Sequence, residues 1–500
     1  MAQERYACIY AKEYPAQAML RLRPELRNQP CVILHGAPPT QTVCSCNARA
    51  RKLGAVPGMT RVEIETFPSM TVLSRSLVEE AAAKAALLEC AGTFSPRIED
   101  RSNDTSFVCI IDIAGTQTLF GPPETLANLL SDRICKLGFA ASIAISSNLH
   151  TAVCLARGMR TKITITSPGN ESTALAPLPL SVLDLSPEHT ATFHLWGIHT
   201  LGMLAALPEP ALIARLGQEG KRLHQLALGK RPHLFLPGEP VFALTETINL
   251  DTPVELIDSL LFVIGIMLEQ LILRATARIL ALASVTVTLS LEGEATHTRT
   301  VRPALPTNDR QLWIKLLHLD LEAHPPQAAI LSLTLTAEPG HTTQVQFGLF
   351  SPKLPEADRL DVTLARIRAI VGEECVGRAV LKDTHHPEGF RIEPFTLPRG
   401  STTELASTPP HTAMRALRPS DTATVLLKER RPHAFTFRQK RYLVDRAYGP
   451  WLTSGDWWNP TLWSHHQWDI LARAEDGSPL HCCLTHDLTQ HCWQMTGLYD

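Results

Sequence analysis

The order of strand-like and helix-like segments in residues 243–337 is the feature that most restricts the fold of this chain. The segments are a strand at 243–250, a long apolar helix at 253–279, strands at 284–291 and 296–301, a helix at 309–323 and a strand at 330–337. The strands show the two-residue alternation of a half-buried sheet, and the helices show the longer helical period. This β-α-β-β-α-β order predicts a sandwich in which two helices cover one sheet face and the other face lies open.

The rest of the chain divides by composition into further domains, as expected for 500 residues. Residues 1–165 mix short apolar strands with helices, and residues 176–235 resemble short helices joined by tight turns. The predicted boundaries are 1–165, 176–235, 240–338, an extension at 339–395, a Pro/Ser/Thr-rich linker at 396–424 and a small β-rich module at 425–500. The sequence therefore predicts a mixed α/β and α+β multidomain protein.

Charge and hydropathy argue against a globally basic nucleic-acid-binding protein and against a membrane-spanning protein. Lys and Arg total 47 and Asp and Glu total 49, for a formal charge of -2, so DNA contact would need local basic patches. The longest apolar run, residues 260–268, is far shorter than the ~20 residues of a membrane span. The N-terminus is charged where a signal peptide is apolar. We expect a cytoplasmic, nucleoid-associated protein with no membrane partner.

A Cys/His-rich stretch near the C-terminus raises the question of zinc. It contains adjacent Cys482 and Cys483 with His481 and His486 nearby. In a strand the two cysteines face opposite sides, which disfavours a single chelate. Buried thiols in a β-rich module are the alternative interpretation. Six of the eight tryptophans also fall after residue 450, where they serve either as interface anchors or as core residues.

Several segments together resemble the Y-family of translesion DNA polymerases. PELRNQPCVIL and ARKLGAVPGM are similar to the finger region, FSPRIE with IIDIAGTQTLFG and then SIAISSN to palm strands, and LWGIHTLGMLAAL to a thumb helix-hairpin-helix. The β-α-β-β-α-β block falls where this family places its little finger. The resemblance implies palm and fingers at 1–165, a thumb at 176–235 and a little finger at 240–338.

The resemblance also places the family's metal-binding carboxylates on Tyr10, Lys12, Phe107 and Val108. Nucleotidyl transfer needs two Mg²⁺ ions about 4 Å apart, bridged by carboxylates. None of the four side chains is a carboxylate, which predicts a pseudo-polymerase with no catalytic residues, no metal and no cofactor. Arg51 matches the finger arginine that grips a triphosphate, and we expect it to be vestigial.

The alternative is an active translesion polymerase that holds Mg²⁺ through displaced carboxylates. Glu13, Glu99, Asp100 and Asp104 lie near the lost positions in sequence. Glu13 follows Lys12 directly, so in a continued strand it would face away from the old ligand side. Asp104 lies in a polar turn.

A polymerase body without its carboxylates, followed by a long tail, resembles the ImuB branch of this family. The tail segments DRLDVTLARIRAIVGEECVG, DTHHPEGFRIEPF and GPWLTSGDWW support this resemblance. It implies a non-catalytic adaptor of an SOS-induced translesion mutasome. The implied partners are the β sliding clamp of DNA polymerase III, ImuA, the α subunit of an error-prone C-family polymerase and primer-template DNA bound without sequence preference.

Residues 346–350, QFGLF, match a clamp-binding peptide of the form Q-x-x-L-F. Gln346 would make polar contacts while Leu349 and Phe350 fill an apolar pocket. An ordinary strand is the alternative, since apolar residues alternate from 343 to 349. Two observations favour the peptide. The sandwich already has its fourth strand, and AEPGHT would interrupt the chain before residue 343. The resemblance to the ImuB branch also implies a clamp peptide just past the little finger.

Basic residues and glycines at three places are candidate DNA contacts. Gly197 and Gly202 in the helix-hairpin-helix would let backbone N–H groups approach a phosphate. Lys221 and Arg222 cluster behind this hairpin, and Arg299 and Arg302 lie in and after the third strand of the sandwich. Such contacts position a backbone without reading its sequence.

Overall fold

The computed structural model describes residues 4–239, 241–303, 305–341, 363–364, 366–368, 371, 375–383, 389–393, 414–455 and 463–499. The chain divides into two compact units, Met1–Ala369 and Ile370–Asp500. The mixed α/β architecture with a β-rich C-terminal region confirms the predicted fold class.

The first 165 residues form two sheets with flanking helices. In chain order the elements are β1 (Tyr6–Lys12), α1 (Tyr14–Leu20), β2 (Cys31–His35), β3 (Thr42–Cys46), α2 (Ala48–Lys52), α3 (Arg61–Glu65), β4 (Thr71–Ser74), α4 (Leu77–Gly92), β5 (Ile98–Asp100), β6 (Ser106–Asp112), α5 (Gln117–Phe120), α6 (Pro123–Lys136), β7 (Ser142–Ser146), α7 (Leu149–Gly158) and β8 (Ile163–Ile165). One sheet has the order β5-β6-β1-β7-β8 and the other β3-β2-β4.

Strand β1 lies at the centre of the five-stranded sheet, antiparallel to both β6 and β7. Its residues alternate between two cores: Cys8 packs with residues of α7, and Ile9 packs with residues of α4 and α6. Burial on both faces explains why this strand is nearly continuous in apolar residues, without the polar alternation of an exposed sheet.

Residues 176–235 are helical, as predicted. The elements from residue 171 onward are α8 (Glu171–Leu175), a short 3₁₀ turn (Leu180–Val182), α9 (Pro187–Leu195), α10 (Leu201–Ala205) and α11 (Glu209–Ala227). Their apolar residues join the core on the α7 side of the five-stranded sheet. We call this part the helical segment.

The predicted β-α-β-β-α-β order is confirmed in the next part of the chain, which we call the sandwich unit. It consists of β9 (Leu244–Val254), α12 (Ile257–Ala277), β10 (Leu280–Leu291), β11 (Thr296–Val301), α13 (Arg310–Ala323) and β12 (Ile330–His341). The sheet order is β11-β10-β12-β9, with all neighbours antiparallel. Val285, Val287 and Leu289 of β10 face the two helices and form the core.

Two predicted boundaries in the sandwich unit are wrong. The helix predicted from residue 253 begins at Ile257, because β9 continues to Val254. Strand β12 does not end before the AEPGH sequence but runs through Pro339 to His341. Its pairing with β10 shifts register between Leu282 and Ser284. Such an irregularity accommodates a residue that cannot donate a ladder hydrogen bond.

Helix α12 is long and apolar enough to cross a membrane by length and composition alone. Over half of its most apolar stretch is buried within the protein. Leu260, Ile264 and Leu268 pack against the sheet of the sandwich unit. Its role as the core helix of this unit accounts for its composition.

A buried cluster of charges joins the sandwich unit to the first sheets, and we call it the ion cluster. It consists of Arg21, which follows α1, Glu89 of α4, Glu246 of β9 and Arg274 of α12. The four side chains are each 3% exposed or less. Arg274 donates to Glu246 at 2.9 Å and to Glu89 at 2.6 Å, and Arg21 pairs with Glu246. Two positive and two negative groups leave the cluster neutral, as burial requires.

The C-terminal unit contains a hairpin and a larger sheet. Its strands are β13 (Arg378–Leu381), β14 (Phe390–Glu393), β15 (Met414–Thr422), β16 (Thr424–Lys428), β17 (Arg431–Phe437), β18 (Lys440–Ser454), β19 (Ser464–Ala474), β20 (Pro479–Asp487) and β21 (Cys492–Tyr499). The larger sheet has seven strands in the order β15-β21-β20-β19-β18-β17-β16. Phe435, Trp468, Cys482 and Met495 lie in its core.

The predicted linker at 396–424 is wrong in its last part, because Met414–Thr422 form the edge strand β15. This strand pairs with β21 and is interrupted between Ala416 and Asp421. An edge strand that is mostly exposed carries few apolar residues, so its composition is close to that of a linker.

Candidate functional site

The positions expected to carry the family's metal ligands lie at one end of the paired strands β1 and β6. Tyr10 lies opposite Val108, and Lys12 lies opposite Ser106. Directly opposed residues share a face of the sheet, so Tyr10 and Val108 share the α7 side. Phe107 is fully buried on the other side, in the core with Ile9. The structure thus brings the predicted positions together on neighbouring strand ends, without a carboxylate among them.

The groups at this strand end do not fit magnesium. Burial raises the pKa of the Tyr10 hydroxyl, partly opposed by Arg157, so the phenol stays neutral near pH 7. Lys12 contributes an ammonium, and Phe107 and Val108 are hydrocarbons. In the described part of the chain, no group of three or more His, Cys, Asp or Glu residues could hold a metal ion. No catalytic step through Mg²⁺ can be derived from this set of donors.

Glu13 lies beside this strand end in a way that the strand pattern did not predict. The strand ends at Lys12, and Glu13 has a left-handed backbone with φ of 54°. Because the strand ends at Lys12, the expectation that Glu13 faces away from the side of Lys12 does not apply. Its carboxylate accepts hydrogen bonds from Ser45 Oγ at 2.7 Å and from the backbone N–H of Cys46 at 3.0 Å.

The same carboxylate forms an ion pair with Arg51, the predicted vestigial nucleotide ligand. Arg51 lies on α2, which Asn47 caps by accepting a hydrogen bond from the N–H of Ala50 at 2.9 Å. Both residues line a cavity of about 680 Å³ that also touches Lys12 and Lys52, which we call the finger cavity. Arg51 is therefore near the expected place, but Glu13 already binds its guanidinium.

Three other nearby acidic residues have basic partners, and Asp104 is exposed. Glu99 binds Arg101 at 2.6 Å and His233 at 2.9 Å, and these bonds lower its pKa despite the opposing effect of burial. Asp100 lies 2.6 Å from Lys84. Asp112, at the far end of β6, lies 3.0 Å from Arg97. Each of these carboxylates is bound by its own basic partner, and they do not point to a common metal position.

The two glycines of the helix-hairpin-helix do not offer free backbone N–H groups. Gly197 has φ of 69° in the turn between α9 and α10, and its N–H donates to His194 O at 3.0 Å. Gly202 lies against Ala176, where a Cβ would be 3.0 Å from the carbonyl oxygen, and its N–H donates to that oxygen. The approach of other backbone N–H groups of this hairpin to a phosphate stays a prediction. Gly197 permits a turn, and Gly202 permits close packing.

The predicted basic contacts differ in their availability. Lys221 on α11 is exposed, whereas Arg222 forms a two-point ion pair with Glu219. Arg299 binds Asp320 of α13 through two hydrogen bonds of 2.8 and 3.0 Å. It lies opposite Val287, on the helix-covered face of the sandwich sheet. The prediction that Arg299 meets DNA on the open face is wrong. It considered the charge of Arg299 but not the strand register, which decides the face on which its side chain lies.

Arg302 is on the open side, where it is exposed and lies 2.7 Å from Glu338. The open face itself is lined by hydroxyl groups, and we call it the hydroxyl face. Its two central rows run across all four strands: Thr300, Thr286, Thr336 and Thr245, then Thr298, Thr288, Thr334 and Thr247. Hydroxyl pairs link neighbouring strands, such as Thr286 with Thr300 at 2.9 Å. Threonine at every second position of these strands is visible in the sequence, but the sequence analysis considered only the basic residues as DNA contacts.

The predicted clamp residues Gln346, Leu349 and Phe350 lie outside the described residues. Strand β12 already occupies residues up to 341, so the predicted chain break that favoured a free peptide is wrong. The motif stays a prediction from the sequence.

Trp468 is a core residue of the C-terminal unit, while Trp451 is 56% exposed, so the tryptophans divide between the two expected roles. Cys482 lies in the same core, and the neighbouring Cys483 lies on the opposite face of β20. The Cys483 sulfur accepts hydrogen bonds from Gln467 at 2.8 Å and from Thr496 at 3.3 Å. These contacts are those of buried thiols.

Comparison with known families identifies the class of this fold. Residues 9–157, which include β6, the finger cavity and β1 from Ile9 onward, match the impB/mucB/samB family. The chain therefore carries a Y-family polymerase domain, as its sequence motifs predicted.

Among individual proteins, the chain is similar to Protein ImuB of Caulobacter vibrioides strain NA1000, with 25% identity over 417 residues that cover 81% of this chain and 89% of that protein. DNA polymerase IV of Dehalococcoides mccartyi strain CBDB1 is 30% identical over 216 residues, which cover 42% of this chain and 54% of that polymerase. Among solved structures, a Dbh DNA polymerase binary complex matches with a TM-score of 0.41 at 16% identity, covering 67% of this chain and 98% of that one. This chain thus carries a Y-family polymerase domain in residues 9–157 and resembles ImuB over most of its length.

Proposed function

We propose that this protein is a non-catalytic adaptor of translesion DNA synthesis, which binds primer-template DNA and recruits a separate polymerase. One observation carries the proposal: the strand ends where a Y-family polymerase needs carboxylates present Tyr10, Lys12, Phe107 and Val108. An aromatic ring, an ammonium and two hydrocarbons cannot bridge two Mg²⁺ ions.

The hydroxyl face supports the DNA-binding part of the proposal. Threonine hydroxyls donate hydrogen bonds to phosphate oxygens without reading bases. Because the rows are uncharged, binding there releases few counterions, in keeping with a chain whose formal charge is -2. Arg302 at the edge of this face adds one exposed positive charge.

The partners follow from the resemblance to the ImuB branch, which the similarity over 417 residues supports. They are the sliding clamp, through Gln346, Leu349 and Phe350, together with ImuA and an error-prone C-family polymerase. Induction in the SOS response and a cytoplasmic, nucleoid-associated location belong to the same proposal. The tryptophan-rich C-terminal unit, with Trp451 at its surface, is the docking surface we assign to the protein partners.

The rival function is an active polymerase, and one observation favours it: Glu13 places a carboxylate in the finger cavity beside Lys12. This carboxylate already accepts hydrogen bonds from Ser45 and Cys46 and pairs with Arg51. A single carboxylate with three protein partners has little capacity left to bridge two cations.

Primer extension with the purified protein, in Mg²⁺ or Mn²⁺, separates the two functions. The adaptor proposal expects no templated incorporation. A Glu13→Gln variant is the matched control, because it removes the charge and keeps the shape. Incorporation that is lost in this variant would establish the rival function with Glu13 as a ligand. Incorporation that is equal in both proteins and survives stringent purification would refute the adaptor proposal without assigning Glu13 a role.

A further inference from the structure

A second cavity in the first unit concentrates arginine side chains and belongs to none of the functions above. Its volume is about 310 Å³, and it lies between strand β6, helix α7 and helix α11. We call it the arginine cavity, since Arg101, Arg157, Arg222 and Arg231 all line it. It shares no lining residue with the finger cavity.

Positive charge in this cavity exceeds its local compensation. Arg101 is neutralised by Glu99, and Arg222 by Glu219. Arg157 pairs with Asp184 at 2.9 Å, but the Asp184 side chain is 80% exposed, so water screens its charge. Arg231 has no ion pair among the residues that the structure describes.

Hydrogen-bonding atoms in the cavity walls are also incompletely used. The guanidinium donors Arg157 Nε and Arg231 Nη1 and the ring nitrogen His150 Nε2 are buried and have no hydrogen-bond partner in the described part of the chain. Leaving a buried polar group unpaired is costly, and most such groups in proteins have a partner. Three of them in the walls of one basic cavity indicate a site that is complementary to an acceptor of several hydrogen bonds.

The titration behaviour of the walls agrees with this excess of positive charge. Burial and the neighbouring Arg222 lower the pKa of Arg231. Burial, followed by the charges of Arg101 and Arg231, lowers the pKa of His150 to about 4. Both shifts have the sign expected where cations crowd together in a poorly solvated place.

Val108 explains why the excess is a property of this chain. Its side chain lines the arginine cavity, at the position where the Y-family resemblance places a metal-binding carboxylate. A carboxylate there would offset one guanidinium and repel an anion. A valine does neither, so the loss of the acid changes the local preference from cations to anions.

We propose that the arginine cavity is a binding site for a phosphate or diphosphate group. Guanidinium groups match phosphate oxygens in geometry, and the cavity provides several of them around one space. The group belongs either to a free anion, such as the diphosphate of a nucleotide, or to the backbone of bound DNA. This site does not depend on the adaptor role, because an active polymerase with the same walls would also hold the anion.

Calorimetric titration with inorganic pyrophosphate at fixed ionic strength tests the site in the full chain. Arg231→Gln removes the unpaired charge, and Lys230→Gln, at the adjacent exposed residue, is the control of equal charge change. We expect Arg231→Gln to weaken pyrophosphate binding by about tenfold or more and Lys230→Gln to change it by less than about twofold. Equal weakening in both variants, or no binding to the unmodified protein, would overturn the proposal.

Hydrogen–deuterium exchange on the unmodified protein keeps the test informative if the Arg231 variant does not fold. Pyrophosphate should slow exchange in residues 148–158 and 228–236, which surround the arginine cavity. Protection of residues 12–17 and 46–52 instead would place the anion in the finger cavity and refute the assignment.

Repeating the titration with saturating primer-template DNA distinguishes the two sources. If DNA abolishes pyrophosphate binding, then the site takes a backbone phosphate. If binding is unchanged, then the site takes a free anion.

Discussion

Two regions of the molecule differ in the charged side chains that they contain. They are the strand end that carries Tyr10 and Val108 and the ion cluster around Glu246. The first should hold carboxylates by its Y-family resemblance, and it holds an aromatic ring and a hydrocarbon in their place. The second keeps two arginines and two glutamates in nearly complete burial, where each charge depends on the others. The strand end thus lacks the charges that the resemblance predicts, whereas the ion cluster holds four charges that are paired with one another.

The difference follows from what each group contacts. A catalytic carboxylate is bound mainly by the metal, so its loss removes repulsion and leaves no unpaired protein group. Removing one member of the ion cluster leaves its partner charged in a buried place, which costs far more than the pair contributes. Replacing a charge of the first kind should therefore disturb the fold less than replacing one of the second kind.

The strongest test of this comparison is Glu246→Gln. The change leaves Arg21 and Arg274 without their shared acceptor charge, and we expect a destabilisation of about 3–5 kcal/mol. Thermal and urea unfolding of the full chain measure the loss. Glu338→Gln, which breaks the exposed pair with Arg302, is the matched control and should cost less than about 1 kcal/mol. Similar losses in both variants would contradict the special status of the cluster.

Returning a carboxylate to the strand end is the converse experiment. Val108→Asp places an acid in a position with no exposed surface, between apolar core residues and the wall of the arginine cavity. The arginines offset only part of the cost of burying this charge, so the change should destabilise the chain by about 3 kcal/mol. Val62→Asp makes the same substitution at a residue that is 73% exposed and serves as control. An unchanged melting temperature for Val108→Asp would show that this strand end has kept room for an ion.

If the strand end has no catalytic role, then the protein should act by binding partners, for example through the predicted clamp-binding peptide at residues 346–350. Replacing Gln346, Leu349 and Phe350 with Ala should weaken sliding-clamp binding by at least about a hundredfold, since each apolar side chain contributes ~1.5–3 kcal/mol in its pocket. The melting temperature should stay the same. A large drop in melting temperature with unchanged clamp affinity would show that these residues form a strand.

The smallest effects are expected on the sandwich sheet. Arg302→Gln should weaken DNA binding about twofold to threefold and reduce the salt dependence by about one counterion. Arg299→Gln should leave DNA affinity unchanged and cost about 1 kcal/mol of stability, because its partner is Asp320. Fluorescence anisotropy at several salt concentrations, beside unfolding curves, measures both. The reverse result would return Arg299 to the DNA surface.

The sequence predicted most of the architecture because strong local patterns and tertiary packing agree. The alternation in residues 284–291 and 296–301 and the apolar period of α12 gave the β-α-β-β-α-β order. Counting along the motifs assigned the ligand positions to residues that the structure brings to neighbouring strand ends. Sequence patterns did not predict the contacts of side chains whose direction depends on a single backbone angle or on the register of one strand pair. Glu13 reaches Arg51 because its φ is 54°, and Arg299 faces α13 because it lies opposite Val287.

The ion cluster was beyond prediction for a different reason. Arg21 and Glu246 are separated by 225 residues in sequence and meet only through the packing of the sandwich unit against the first sheets. Neither residue lies in a local pattern that distinguishes a buried ion pair from a solvated charge. Edge strand β15 was missed because its exposed residues have the composition of a linker.

The ion cluster also determines how the junction between the sandwich unit and the first sheets responds to heat. The hydration of charged groups becomes less favourable as temperature rises, so the cost of keeping these charges dry falls on warming. An apolar contact of the same size gains no such relief. The two parts should consequently stay joined up to the temperature at which their own cores melt, and separate in a single cooperative transition.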